Sequence, residues 1–160
     1  KKNKYDGRES ILKRINEVSE ISTNFFGYDG IEPIWGQVFI DELSKSLMGI
    51  NLNQGKDIYL YSSDRITTYI GNGLCTFIKS DLGFEEIYGD DEVMFFNDID
   101  DLINKIKYLK KNINLTRKIA NKGWQRSHEY FNSTIICQFI IDTVFGSLSS
   151  KYDWPDISFK

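Results

Sequence analysis

Ser62-Ser63-Asp64-Arg65-Ile66-Thr67-Thr68-Tyr69-Ile70-Gly71-Asn72-Gly73-Leu74-Cys75-Thr76-Phe77-Ile78 reads as one helix, one tight turn and one strand. Its first three residues are all good helix N-caps, because a short side-chain oxygen accepts from the unbonded amides of a first helical turn. About two turns later, Gly71-Asn72-Gly73 offers the left-handed residues that end a helix. Leu74 to Ile78 is apolar apart from the β-branched Thr76, as expected of a strand covered on both faces. A helix feeding a doubly buried strand is the repeating unit of an α/β domain with a parallel sheet.

The pattern continues upstream. Ile50 to Asn53 and Ile58 to Tyr61 are expected to be extended, with a turn at Asn53-Gln54-Gly55-Lys56. Trp35, Phe39, Leu43 and Leu47 recur every four residues and predict a helix from about Gly36 to Met48, with Pro33 just before its start. Thr23 to Gly27 is a candidate strand through Phe25 and Phe26, closed by a turn at Tyr28-Asp29-Gly30. Ile11, Leu12, Ile15 and Val18 give the stretch from Glu9 to Ile21 the apolar stripe of a surface helix.

Downstream, Val93 to Phe96 is a short strand. Asp98 caps the next helix, with Asp101 at its third position and Ile99, Leu102, Ile103, Ile106 and Leu109 on its apolar face. The lysines opposite are a solvated face. Asn114 and Ser133 are expected to cap helices over 115–130 and 134–145, the second burying Ile135, Ile136, Phe139, Ile140 and Val144 and stopping at Gly146. The fold class is therefore α/β, a Rossmann-like three-layer domain with four or five parallel strands. Residues 1–146 form the domain, and 147–160 a tail that packs on it through Tyr152 and Trp154 or links to a missing part. The chain opens on Lys1-Lys2-Asn3-Lys4 without a methionine, and its first helix has no strand before it. It is read as a piece of a longer protein that begins just after a first strand.

At 160 residues, 41% hydrophobic and 14% aromatic, the chain has the material for one core. Its formal charge of -3 argues against a nucleic-acid partner, though not against a local basic spot for one diphosphate. Cys75 and Cys137 sit in apolar runs and are expected to be small buried hydrophobes. No run approaches the ~20 apolar residues that cross a bilayer, and no signal-peptide pattern is present.

Ligands of doubly wound sheets bind beyond the carboxyl ends of the strands, which directs attention to residues 27–36, 51–55, 61–73 and 80–86. Neither a GxGxxG nor a GxxxxGK[ST] motif is present. The hydroxyls, Arg65 and helix-start amides of 62–73 are groups suited to a diphosphate. They equally suit a plain cap at Ser63 or Asp64 and a surface ion pair at Arg65. Gly27, Gly30 and Gly36 permit close backbone approach or simply turn, and Trp35 stacks on a base or starts the core stripe. His128 is the one histidine and reads as a packing residue, and with two separated cysteines no metal site is expected. The carboxylates at Asp81, Glu85, Glu86 and Asp90-Asp91-Glu92 single out no catalytic base.

Several segments in order resemble bacterial family-1-type glycosyltransferases, including the group related to the spore-maturation protein CgeB. They are Trp35-Gly36, Gly49-Ile50-Asn51-Leu52-Asn53, Ser63-Asp64-Arg65, Gly71-Asn72-Gly73-Leu74, Gly83-Phe84-Glu85-Glu86-Ile87-Tyr88 and Asp91-Glu92-Val93. The series continues through Asp100-Asp101-Leu102, Ala120-Asn121-Lys122-Gly123-Trp124 and His128-Glu129-Tyr130-Phe131-Asn132, so that the likeness covers roughly 21–146. It implies the C-terminal, donor-binding half of a two-domain GT-B enzyme that moves a sugar from a nucleotide-diphosphate sugar to a glycan or surface-polysaccharide hydroxyl. No further cofactor and no metal are implied.

By the resemblance Arg65 contacts the diphosphate and Gly73 makes the turn after the donor-binding helix. The base, where the family has one, lies on an N-terminal acceptor domain absent from this chain, so no catalytic residue is assigned and the chain alone is expected to be inactive. The family often has a glutamate for the ribose hydroxyls where this chain has Thr68, which cannot chelate a diol as a carboxylate does. Ribose recognition then falls to Asp64 or Glu86, or is lost. The donor-binding set is thus Gly27, Trp35, Gly36, Ser63, Asp64, Arg65, Thr68, Gly73 and Glu86. The expected setting is the cytoplasm or the inner face of the membrane, with a parent protein peripheral to it. The competing expectation is a non-catalytic sugar or protein binding module derived from the same fold.

Overall fold

The computed structural model describes residues 7–53, 58–147 and 152. In chain order the elements are α1 (Gly7–Asn16), α2 (Gly36–Ser44), β1 (Met48–Ile50), α3 (Asp64–Gly71), β2 (Cys75–Lys79), β3 (Met94–Phe96), α4 (Ile99–Lys111), α5 (Ile113–Tyr130) and α6 (Ser133–Val144), with one 3-10 turn at Phe84–Glu86. The three strands form a parallel sheet in the order β1-β2-β3, Met48 pairing with Cys75 and Phe77 with Met94.

β2 is central, and successive side chains point to opposite faces of a strand, so it must be apolar on both. Cys75 and Phe77 enter a core with Ile15 of α1 and Leu102, Ile106 and Leu109 of α4, joined by the partly buried Met48, Ile50 and Met94. Ile78 enters a second core with Ile66 and Ile70 of α3, Leu82, Phe84 and Val93. Gly49, between Met48 and Ile50, faces α3, where the Tyr69 ring occupies the space of a missing side chain. Helices thus cover both faces, and the architecture is Rossmann-like. Burial of a side chain such as Phe77 contributes on the order of 1.5–3 kcal/mol.

α4 begins as its sequence predicts. The Asp98 carboxylate accepts from the amides of Asp100 (3.0 Å) and Asp101 (2.9 Å), and Asp101 accepts in return from the amide of Asn97 (2.9 Å) and from Lys105 Nζ (2.9 Å). Lys110 and Lys111 close the helix where its dipole favours cations. α5 passes beneath the amino edge of the sheet. A Cβ at Gly123 would collide with the carbonyl of Glu92, just before β3, and would also touch Ile70. His128 Nε2 lies 3.1 Å from the carbonyl oxygen of Gly71, and its ring lies 4.5 Å from that of Trp124, so the histidine ties α5 to the end of α3.

Several expectations are corrected. The described residues contain three strands, not four or five. Thr23 to Gly27 is not a strand. Phe25 packs against the first core, Phe26 is exposed, and the Gly27 amide closes a turn onto the Ile31 carbonyl at 2.9 Å. No described strand lies alongside to supply a ladder. Ile58 to Tyr61 is a turn, with the Tyr61 amide on the Ile58 carbonyl, while residues 54–56 of the expected neighbouring turn lie outside the described residues.

α2 stops at Ser44, because the Lys45 and Ser46 amides bond back to Glu42 and Leu43 and Met48 is drawn into the sheet. Only Leu43 of its stripe is fully buried, and Trp35 is 75% exposed. α5 starts after Asn112, which puts Asn114 inside the helix. The side-chain cap of α6 is Asn132, whose Oδ1 accepts from the Ile135 amide at 3.0 Å. The α6 face read as core is largely open, with Ile136, Ile140 and Val144 exposed, and Cys137 is exposed with them. Cys75 is buried as expected, and burial pushes its thiol up to about 12. Tyr152 contacts α6, its hydroxyl bonded to the Asp142 carboxylate and its ring edge-on to Phe139, while Trp154 lies outside the described residues.

Two measurements test this account. Gly123→Ala gains about 1 kcal/mol of helix propensity, but its methyl group meets a backbone carbonyl that cannot rotate away, so urea denaturation should show a net loss on the order of 1–2 kcal/mol. The Lys105 ammonium, followed by the Asn97 amide, holds the Asp101 carboxyl below its ordinary range. Its contribution is therefore present above the unfolded pKa, about 3.9, and is lost as pH falls through the lower folded value. Asp101→Asn should be less stable than the parent at neutral pH, with the difference shrinking below about pH 4 in acid titration.

Candidate functional site

Because the strands are parallel, the segments leaving β1, β2 and β3 emerge on one edge. A cavity of about 240 Å³ lies there, lined by Asn51, Leu52 and Asn53 after β1, by Lys79 at the end of β2 and by Phe96, Asn97, Asp98 and Ile99 after β3. Gly7, Arg8 and Ile11 of α1 close its side. It lies at the strand ends where doubly wound sheets bind ligands. The lining includes two cationic side chains and three asparagine amides. The one acid among the described lining residues, Asp98, already accepts from two amides of α4.

The start of α3 is held against this cavity. Ser63 stands at the N-cap position, but its hydroxyl does not cap the helix. It donates instead to Oδ1 of Asn51 at 2.7 Å. Asn51 is only 1% exposed, and its Nδ2 reaches Asn53 Oδ1 at 3.4 Å. Arg65, half-buried, donates from Nη2 to the Leu52 carbonyl at 2.7 Å. Nε of Arg65 and Nδ2 of Asn53 are shielded from solvent and have no hydrogen-bond acceptor among the described residues. Buried donors of this kind destabilise by roughly 1–3 kcal/mol each unless an acceptor arrives. Both sit beside the cavity, on the loop after β1 and on the first turn of α3.

The residues expected from sequence are dispersed around this centre. Ser63 and Arg65 adjoin it through Asn51 and Leu52, while Asp64 is exposed and is not among the described lining residues. Thr68 lies one turn further along α3, half-buried, with its carbonyl accepting from Asn72 Nδ2 at 2.7 Å. Glu86 lies on the 3-10 turn after β2, is exposed, and accepts from the Tyr59 hydroxyl. Gly27 (φ 77°) and Trp35 belong to the exposed connection between α1 and α2, and Gly36 (φ 59°) is the exposed first residue of α2. The Tyr28 hydroxyl, 3.5 Å from the Glu9 carbonyl, ties that connection to the first turns of α1.

Gly73 (φ 77°) makes the turn into β2 and lines a separate hollow of about 180 Å³ with Ser46, Leu47, Arg117 and Trp124. That hollow is at the amino edge of the sheet, opposite Arg65. Arg8, Lys79 and Asn97 were not singled out by sequence reasoning. Lys79 carries a signal, a charge directly after the run ending at Ile78. Arg8 and Asn97 carry none, because only the fold brings them to Asn51.

No group of three or more His, Cys, Asp or Glu suited to a metal ion occurs among the described residues, and no described helix is long and apolar enough to cross a membrane. No curated protein and no solved structure matches the chain. The family model described as glycosyl transferase-like matches residues 8–142, from the first turn of α1 almost to the end of α6. That span takes in all three strands and every residue that lines the carboxyl-edge cavity except Gly7. The chain belongs to the glycosyl transferase-like family.

Proposed function

We propose that the chain binds a nucleotide-diphosphate sugar at the carboxyl edge of its sheet, as the C-terminal donor half of a GT-B glycosyltransferase. The observation that carries this is the pair of buried donors without acceptors among the described residues, Arg65 Nε and Asn53 Nδ2, at a cavity lined by Asn53, Arg8 and Lys79. Such a site suits an acceptor-rich anion. A diphosphate accepts from several donors at once, and the guanidinium of Arg65 is a planar fork suited to its oxygens.

In transfer, an acceptor hydroxyl attacks the anomeric carbon, the bond to the diphosphate oxygen breaks, and negative charge grows on the leaving diphosphate. Preorganised donors aimed at that charge favour the transition state over the bound donor. The acceptor, a glycan or surface-polysaccharide hydroxyl, and any general base belong to an N-terminal acceptor domain outside this chain. A donor half alone binds without turnover, since transfer needs both reactants oriented in one cleft. The reading places the parent protein in the cytoplasm or at the inner face of the membrane, with no cofactor beyond the donor.

Thr68 favours a second reading. A neutral hydroxyl in place of the glutamate common in the resembling enzymes is what a non-catalytic sugar or protein binding module would carry. Titrating the chain with uridine and guanosine diphosphates and with pyrophosphate by NMR separates the two. Donor binding predicts saturable shifts, with those from pyrophosphate confined to residues near 7–8, 51–53, 62–65, 79 and 97–98. No saturable response at millimolar ligand would remove it in favour of the binding module. Arg65→Ala should weaken pyrophosphate binding about tenfold, roughly 1.4 kcal/mol. Unchanged affinity with a large fall in Tm would make Arg65 purely a strut between α3 and β1.

A further inference from the structure

The loop before α3 and the loop after β2 hold an aromatic ring in the open. Tyr59 is 53% exposed. One side of its ring lies against Gly83, where any side chain would collide with it, and its hydroxyl donates to the Glu86 carboxylate. The Leu60 amide bonds to the Leu82 carbonyl at 2.7 Å and joins the two loops. Both are bent to do so. Leu60 (φ 52°) and Asp81 (φ 64°) take left-handed conformations that side chains other than glycine disfavour, and Gly83 has φ 84°. The ordinary use of a tyrosine held by this much local structure is burial, which Tyr59 does not have.

We propose that Tyr59 and Glu86 recognise the nucleoside of the donor, the exposed ring face stacking on the base and the carboxylate accepting from the ribose hydroxyls. The inference rests on the donor-binding reading and deepens it. The position fits. One loop runs into Ser63, which is bonded to Asn51 in the cavity wall, and the other leaves from Lys79, which lines the cavity. Neither Tyr59 nor Glu86 lines the cavity, so on this reading the nucleoside extends from a diphosphate at Arg65 out toward the two loops.

The chemistry fits as well. A ring fixed in advance loses little freedom on stacking, and stacking is tolerant of which base is bound. A carboxylate has several acceptor sites, and Tyr59 uses one of those of Glu86. Glu86 thereby supplies on a loop the carboxylate that α3 lacks at Thr68.

The competing explanation is that Tyr59 only staples the two loops. Isothermal titration with uridine diphosphate, its 2′-deoxy counterpart and inorganic pyrophosphate separates the two, using the whole chain and its Tyr59→Phe, Tyr59→Leu and Glu86→Gln variants. The parent chain should bind uridine diphosphate at least tenfold more tightly than pyrophosphate. Tyr59→Leu should weaken uridine diphosphate about tenfold and leave pyrophosphate within twofold, while Tyr59→Phe, which keeps the ring, should stay within threefold on both.

Glu86→Gln should reduce the preference for the ribose over the deoxyribose form. Equal affinity of the parent for pyrophosphate and uridine diphosphate overturns the inference while the diphosphate reading stands. So does a Tyr59→Leu variant that loses both ligands in equal proportion, which identifies a staple. Absence of saturable pyrophosphate and nucleotide binding alike overturns the donor reading and this inference with it.

Discussion

Everything in this domain depends on a five-residue strand, Cys75–Lys79, being buried on both faces. Its neighbours β1 and β3 are three residues each and could not hold a sheet by backbone pairing alone. The alternation of Cys75 and Phe77 toward α1 and α4 with Ile78 toward α3 obliges two layers of helix to exist, and each layer has one apolar face to bury. Once those layers are fixed, the parallel direction of the strands puts all three of their carboxyl ends on one edge. The location of the cavity follows from that direction, before any polar residue is considered.

What the polar residues add is the seating of α3. Ser63 and Arg65 each bond to the segment after β1, through Asn51 and through the Leu52 carbonyl. The buried side chain of Asn51 has a specific partner, which joins the loop after β1 to the first turn of α3. A hydroxyl engaged with Asn51 is not engaged with the helix amides, and this separates the start of α3 from that of α4, where Asp98 accepts from two of them. Two helix starts at the same edge thus differ in kind. One is closed by its own side chain, and the other is braced from outside.

The sequence showed the strand and the helices around it clearly, because amphipathic spacing and burial on both faces are local signals. α4 kept its cap and its buried Leu102, Ile103, Ile106 and Leu109 as its spacing predicted. It was less informative where apolar residues do not enter this core. The stripe from Trp35 and the face of α6 have helical spacing, but spacing records that a face is apolar and not what lies against it, and Trp35, Ile140 and Val144 are exposed. Phe25 and Phe26 read as a strand, yet a strand exists only with a neighbour to pair with. For the site, the stretch from Ser63 to Arg65 was legible because it opens a helix after an apolar strand. Arg8 and Asn97 lie 43 residues either way or more from Asn51 in the chain or on another element, and only the sheet brings them together. Gly73 shows the converse, since it closes the same helix that Arg65 opens and lies at the other edge of the sheet.

Arg65 bears on how far a structural residue and a binding residue can be the same one. A guanidinium has five donor hydrogens in a fixed plane. The bond from Nη2 to the Leu52 carbonyl uses one corner and fixes the plane, while Nε is buried with no acceptor among the described residues. A purely structural arginine would satisfy its buried donors within the protein, because each one left over is destabilising. A purely ligand-directed arginine would be free to rotate and would lose that freedom on binding. Arg65 has the arrangement between these, anchored at one nitrogen and unsatisfied at another. For the diphosphate proposed above, the anchoring bond would limit the entropy lost on binding, and the nitrogen without an acceptor among the described residues would be satisfied by it. In a chain whose formal charge is -3, attraction for an anion has to come from such local geometry and not from the overall field.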